Sequence, residues 1–165
     1  MDTSFYLHKF QKAADKLDKK MLAQKQVESA VVLYGKDCVV LKLYKRGWAN
    51  QFQDPLTSAS RIFFSVWISD SSIAAQKLLY NIHALKLRQL KGYSIQSRKF
   101  ADIFRDKFKA FEHTWKNVSV DFGPLTLMEG WVTIDIEDFE DDLLKLAHNF
   151  LEVEHLVDET LACFK

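Results

Sequence analysis

Three runs of β-branched and aromatic residues in the first half of the chain constrain its fold more than any other feature. They span residues 30–34, 38–45 and 61–69. Side chains of these types fit the pleated, half-buried surface of a β-sheet. Gly35-Lys36-Asp37 is short enough to join the first two runs as a hairpin, and 47–60 is typical of a longer loop. The sequence therefore predicts a sheet that begins with three consecutive strands.

Apolar residues spaced by three and four positions predict four helices around these strands. The first covers residues 4–27, and the second follows an N-cap in 70–72 and ends at Gly92. The third begins at Ser97 and carries Phe100, Phe104 and Phe108 on one face. The last starts near Asp135 or Asp138 and runs almost to the end of the chain.

Two more strands are predicted at 118–122 and 125–136, where apolar and polar residues alternate before and after the Gly123-Pro124 turn. The predicted order is α-β-β-β-α-α-β-β-α. With 165 residues, of which 48% are hydrophobic, one α+β domain over 1–165 is expected. Its core is a five-stranded, mostly antiparallel sheet with helices packed on it. This order resembles that of the small secretion chaperones, with one helix added, and the resemblance implies a dimer that holds partly unfolded protein.

Charge is divided sharply along the chain. Residues 1–116 carry 21 Lys and Arg against 10 Asp and Glu, whereas residues 117–165 carry 2 against 12. The sums of about +11 and −10 are hidden in a total of +1. These opposite charges are neutralised within the fold, neutralised between two copies of the chain, or left exposed for a charged partner.

The acidic surplus is concentrated at the start of the last helix, where it exceeds what the helix dipole requires. These candidate interaction residues are Glu137, Asp138, Asp141 and Asp142. The basic counterpart spans 86–109, and its candidate interaction residues are Lys99, Arg105 and Lys109. Glu154 projects onto the apolar side of the last helix and is expected to be buried. Because an unpaired buried carboxylate is costly, Glu154 should meet a basic partner, mark an interface, or lie at a helix break.

A polar stripe on the last helix includes His148, Glu152 and His155 at steps of three and four residues. Such spacing brings side chains together and is compatible with a divalent metal, but it equally describes a solvated helix face. The solvated face is the preferred interpretation, because no H-E-x-x-H motif is present. No metal or other cofactor is therefore predicted.

Motif searches exclude the common nucleotide-binding and hydrolase classes. Neither a Gly-rich phosphate loop nor G-x-S-x-G occurs, and Asp121-Phe122-Gly123 lacks the other kinase segments. Two cysteines provide no disulfide framework, and neither a signal peptide nor an 18-residue apolar run is found. These features predict a cytoplasmic protein with no membrane contact and no catalytic residues.

Three functions are compatible with these sequence features. The preferred one is a non-catalytic protein-binding module, a homodimer that uses charge-complementary surfaces. The first alternative is nucleic-acid binding through basic helices, including the lysines between 9 and 20. The second is an enzyme or small-ligand binder with an aromatic pocket. Its candidate pocket residues are Trp48, Trp67, Trp115 and Trp131, of which Trp67 and Trp131 are expected in the core.

Overall fold

A computed structural model describes all residues from 1 to 165. The helices are α1 (Thr3–Asp15), α2 (Lys19–Lys25), α3 (Asp70–Ala74), α4 (Ser97–Phe108), α5 (Phe139–Leu151) and α6 (Glu154–Ala162). The strands are β1 (Glu28–Tyr34), β2 (Cys38–Tyr44), β3 (Arg61–Ser69), β4 (Lys77–Leu85) and β5 (Thr126–Thr133). None of the helices combines the length and the apolar character needed to cross a membrane.

The five strands form one antiparallel sheet in chain order, β1-β2-β3-β4-β5. This confirms the predicted α+β class and the antiparallel five-stranded sheet. Because side chains alternate across a strand, each strand presents one set of residues to each face. On one face, side chains such as Leu41, Phe64 and Tyr80 are completely buried.

The longer helices pack on that buried face. Phe150 of α5 stacks on Phe64 with ring centroids 4.6 Å apart, and Phe139 meets Phe10 of α1 at 5.7 Å. Phe104 and Phe108 of α4 also stack, as the spacing predicts, and both are fully buried. The core therefore lies between one face of the sheet and a layer of helices.

The prediction of a long second helix is wrong. Only Asp70–Ala74 is helical, and the segment that follows is the strand β4. Its apolar residues 78, 79, 82 and 85 fit a helical period, but the completely buried ones are Leu78, Tyr80, Ile82 and Ala84, which alternate. The helix ends because Gln76 adopts a left-handed backbone with φ of 57°. A fourth strand thus stands where a long helix was predicted, which departs from the order that suggested the secretion chaperones.

Three other boundaries differ from prediction. The segment 118–122 is no strand, and only Ser119 bridges to Glu129. The predicted first helix is broken into α1 and α2, because the Asp18 side chain accepts from the Met21 N–H and caps a new helix. The last helix is likewise broken, between Leu151 and Glu154.

Candidate functional site

Part of the acidic surplus meets lysines of the same chain. Glu140 at the start of α5 lies 3.4 Å from Lys9 and 3.0 Å from Lys16 of α1. The hydrogen bond from Lys16 holds the pKa of Glu140 below its ordinary value, against a smaller effect of burial, and Lys9 acts in the same direction. The lysine stripe of α1 is therefore partly neutralised within the fold.

Glu154 is buried, as the helical projection predicts, and it has a basic partner. Its side chain is 6% exposed, and Oε2 lies 2.5 Å from Nζ of Lys45. Lys45 also contacts Asp158 at 2.6 Å, and Lys25 approaches Glu154 Oε1 at 3.7 Å. Burial by itself would lower the pKa of Lys45, but the hydrogen bonds to Asp158 and Glu154 outweigh it and raise the pKa. This cluster joins α6 to the end of β2.

Arg105 and Lys109 are both engaged locally. The Arg105 guanidinium donates to four backbone carbonyls, those of Phe122, Gly123, Thr126 and Leu127. It therefore holds the turn before β5. Lys109 pairs with Asp106 at 3.4 Å, and both side chains are exposed. Lys99 is exposed and forms no ion pair.

Two groups of charged residues without ion pairs lie at opposite ends of the sheet. The acidic end follows β5 and contains Glu137, Asp138 and Asp141, which are exposed, and the half-buried Asp142. Burial, reinforced by the neighbouring carboxylates, raises the pKa of Asp142 against the opposing effect of Lys145. The basic end follows β4, and its exposed residues are Lys86, Arg88, Lys91, Arg98 and Lys99. Strand β4 separates the two ends by about 25 Å.

The polar stripe of the last two helices does not form a metal centre. His148 and Glu152 are exposed and line a groove beside Asn149. His155 lies on α6 and contacts the Phe111 ring at 5.9 Å. No group of three potential ligands comes close enough to hold a metal ion.

The tryptophans are distributed differently from the prediction. Trp48 is only 1% exposed, and its Nε1 donates to Asp158 at 2.8 Å. Trp115 is buried against Phe64 and Tyr80. Trp67 and Trp131, expected in the core, are half-buried on the face of the sheet away from the helices. The four rings therefore do not line one pocket.

This second face, here called the open face, is aromatic and basic. The strand register aligns one apolar row across all five strands: Val32, Val40, Trp67, Leu79 and Trp131. Cations sit over rings on the same face, with Lys77 4.5 Å from the Trp131 ring centre and Arg61 5.2 Å from that of Phe63. Aromatic residues and arginine are the types enriched at protein interfaces.

A polar row runs beside the apolar row on the open face. Ser65 donates to Oδ1 of Asn81 at 2.6 Å, and Asn81 Nδ2 lies 3.1 Å from Glu129 and 2.8 Å from His83 Nε2. The Asn81 amide is thus the donor to His83, whose Nδ1 faces the Leu125 carbonyl at 3.4 Å. Burial lowers the pKa of His83, which agrees with a neutral ring that is protonated on Nδ1.

The two edges of the sheet are unequal. Along β5, the Glu129 N–H and C=O both bond to Ser119, and Asn117 donates to the Trp131 carbonyl. Along β1, no segment pairs with the outer side of the strand. Every residue of β1 is half-buried or exposed, and Leu33 and Tyr34 are 44% and 45% exposed. Neither this edge nor the open face was predicted from the sequence.

Comparisons with protein-family models, with curated proteins and with solved structures gave no significant match.

Proposed function

We propose that this protein is a non-catalytic protein-binding module that assembles as a homodimer by pairing its β1 strand with β1 of a second copy. The observation that carries the proposal is the uncovered edge of β1. An exposed strand edge presents unpaired N–H and C=O groups and is a template for another strand. Pairing would extend the sheet from five strands to ten and join the two open faces.

Strand β1 lacks most of the features that keep edge strands unpaired. Such strands are commonly short, charged, bulged or interrupted by proline. Strand β1 is seven residues long, pairs with β2 in an unbroken register, and carries no charge after Glu28. At the C-terminal end of β1, Leu33 and Tyr34 add exposed apolar surface. This surface lies beside the start of α1, where Phe5 is 39% exposed. A second copy would remove this surface from water.

The strand is suited to pairing with itself in the antiparallel sense. A twofold axis at Val31 would place Ser29 opposite Leu33 of the second copy, and Glu28 opposite Tyr34. No like charges meet in this register, and apolar side chains occupy its centre. The pairing is isologous, so it closes at two copies and leaves no further edge of this kind.

The charged ends follow β4 and β5, on the far side of the sheet from β1, so a β1–β1 pair leaves both ends free. The exposed acidic residues Glu137, Asp138 and Asp141 then remain at the surface for a basic partner protein. We place the module in the cytoplasm, where free thiols such as Cys38 and Cys163 stay reduced.

The substitution Leu33→Lys tests the edge. Sedimentation equilibrium of the native chain should give twice the monomer mass of 19.2 kDa. Leu33→Lys should weaken the dimer by about a hundredfold, because two lysines would be buried at one interface. Leu125→Lys is the matched control, since Leu125 is 52% exposed and lies outside the β1 edge. It should leave the dimer unchanged.

A monomeric native chain, or equal weakening by both lysine variants, would overturn the proposed edge. Titration with a single-stranded polynucleotide separates the nucleic-acid alternative. Binding that falls steeply with salt and is lost on charge reversal of Lys99 would favour that alternative over protein binding. We expect no binding above that of a neutral polymer at about 0.15 M salt.

A further inference from the structure

A cavity of about 350 Å³ lies on the open face, over strands β1 to β4. This volume is at the lower end of the range for small-molecule sites. Its lining contains one lysine, one arginine, the rings of Tyr34, Phe63 and Trp67, and no carboxylate. The lining residues are Tyr34, Cys38, Val40, Lys42, Arg61, Phe63, Ser65, Trp67 and His83.

Lys42 is the first unusual group in this cavity. The residue is 2% exposed, although lysine is almost never fully buried without an ionic partner. Its ammonium donates one hydrogen bond, to the Tyr34 hydroxyl, and lies 4.4 Å from the Phe63 ring centre and 4.9 Å from that of Tyr34. Because it forms no ion pair, a buried positive charge faces the cavity with donor capacity to spare.

Arg61 is the second unusual group in this cavity. Its Nη1 donates to the Ser58 carbonyl, whereas Nε is buried and has no hydrogen-bond partner. A buried donor of this kind is rare in proteins and costs free energy. The edge formed by Nε and Nη2 has the geometry that grips both oxygens of a carboxylate.

The other polar groups of the cavity are uncharged. The hydrogen bonds of His83 describe a neutral ring, and burial, aided by Asp37, raises the pKa of Cys38 and keeps its thiol protonated. Glu129 is the carboxylate of the polar row. It accepts a hydrogen bond from Asn81 and forms no ion pair with Lys42. The cavity therefore carries a net positive charge.

We infer that this cavity binds a small carboxylate with an apolar or aromatic body. Lys42 and the free edge of Arg61 receive the carboxylate, and Phe63, Trp67 and Val40 contact the apolar part. Binding supplies the counter-charge and the acceptor that these two side chains lack. All residues of the site belong to one chain, and of these Tyr34 also lies on the β1 edge.

Carboxylate fits better than phosphate for two reasons. The cavity has no glycine and no helix N-terminus among its lining residues, so it offers no cradle of backbone N–H groups for a phosphate. Its charged donors are one ammonium and one planar guanidinium edge, which match a planar monoanion.

The test uses benzoate, phenylacetate and hexanoate as probes, with benzyl alcohol and phenyl phosphate for comparison. Binding is followed by isothermal calorimetry and by intrinsic tryptophan fluorescence, to which Trp67 in the cavity lining contributes. At least one carboxylate should bind saturably below about 10 mM, with the neutral alcohol at least about tenfold weaker.

The variants Lys42→Met and Arg61→Gln should each weaken carboxylate binding about tenfold or more. Lys77→Met is the matched control, because Lys77 sits over Trp131 on the same face but outside the cavity. It should bind as the native chain does, and far-UV circular dichroism verifies the fold of all three. Three results would overturn the inference: no saturable carboxylate binding, unchanged affinity in both cavity variants, or tighter binding of phenyl phosphate than of any carboxylate.

Discussion

The substitution Lys45→Met is expected to destabilise the protein by about 3 kcal/mol, which lowers its melting temperature by on the order of 10 °C. Lys45 is the cation closest to the buried Glu154, with its Nζ 2.5 Å from Oε2. Without that ammonium the carboxylate stays buried, and Lys25, at 3.7 Å, compensates only part of its charge. The measurement is thermal and urea unfolding.

The double variant Lys45→Met/Glu154→Met distinguishes a charge effect from a packing effect. Replacing both members of a buried ion pair by apolar side chains is often neutral, so most of the lost stability should return. Lys107→Met is the surface control: its contact with Glu159 is 3.9 Å long and solvent-exposed, and the change should stay within about 0.5 kcal/mol. A double variant as unstable as Lys45→Met would mean that Glu154 is not the source of the loss.

The substitution Gly130→Ala is expected to cost about 3 kcal/mol, since a methyl group has no room there. An added Cβ would overlap the Tyr80 hydroxyl and would lie 2.5 Å from its Cζ and 2.9 Å from the Asn117 carbonyl oxygen. The Tyr80 ring is fully buried and its hydroxyl bonds to the Lys116 carbonyl, so it cannot move aside freely. Unfolding in urea measures the loss.

Gly47→Ala is the control, because no atom lies within 4 Å of its added Cβ. This variant should match the native stability. Tyr80→Phe removes the atom nearest to the added methyl group, so it should cost less in the Gly130→Ala background than in the native chain. Additive losses from the two substitutions would contradict the proposed clash.

The elements with the clearest periodicity could be predicted from the sequence. The Phe100, Phe104 and Phe108 face of α4 and the first three strands lie where the pattern places them. Strand β4 was missed because its apolar residues satisfy a period of 3.6 and a period of two at once. The predicted count of five strands was still right, since β4 takes the place of the predicted strand at 118–122.

The candidate sites were harder to predict, because they depend on which strands become neighbours. The burial of Glu154 follows from its position on one helix, and the sequence indicated it. The alignment of Lys42 with Ser65, and of Ser65 with Asn81, exists only once the register is fixed. A single signal was available: Lys42 is a charged residue inside an otherwise apolar strand. The outer position of β1 likewise depends on strand order and not on its own sequence.

Hydrogen exchange of the β1 amides tests the proposed homodimer most directly. If β1 pairs with a second copy, protection of the outward-pointing amides within 29–34 should rise with protein concentration and approach that of β2. The Leu33→Lys variant should lose this protection while β2 keeps its own. Rapid exchange along the outer side of β1 that is the same at every concentration would contradict the account.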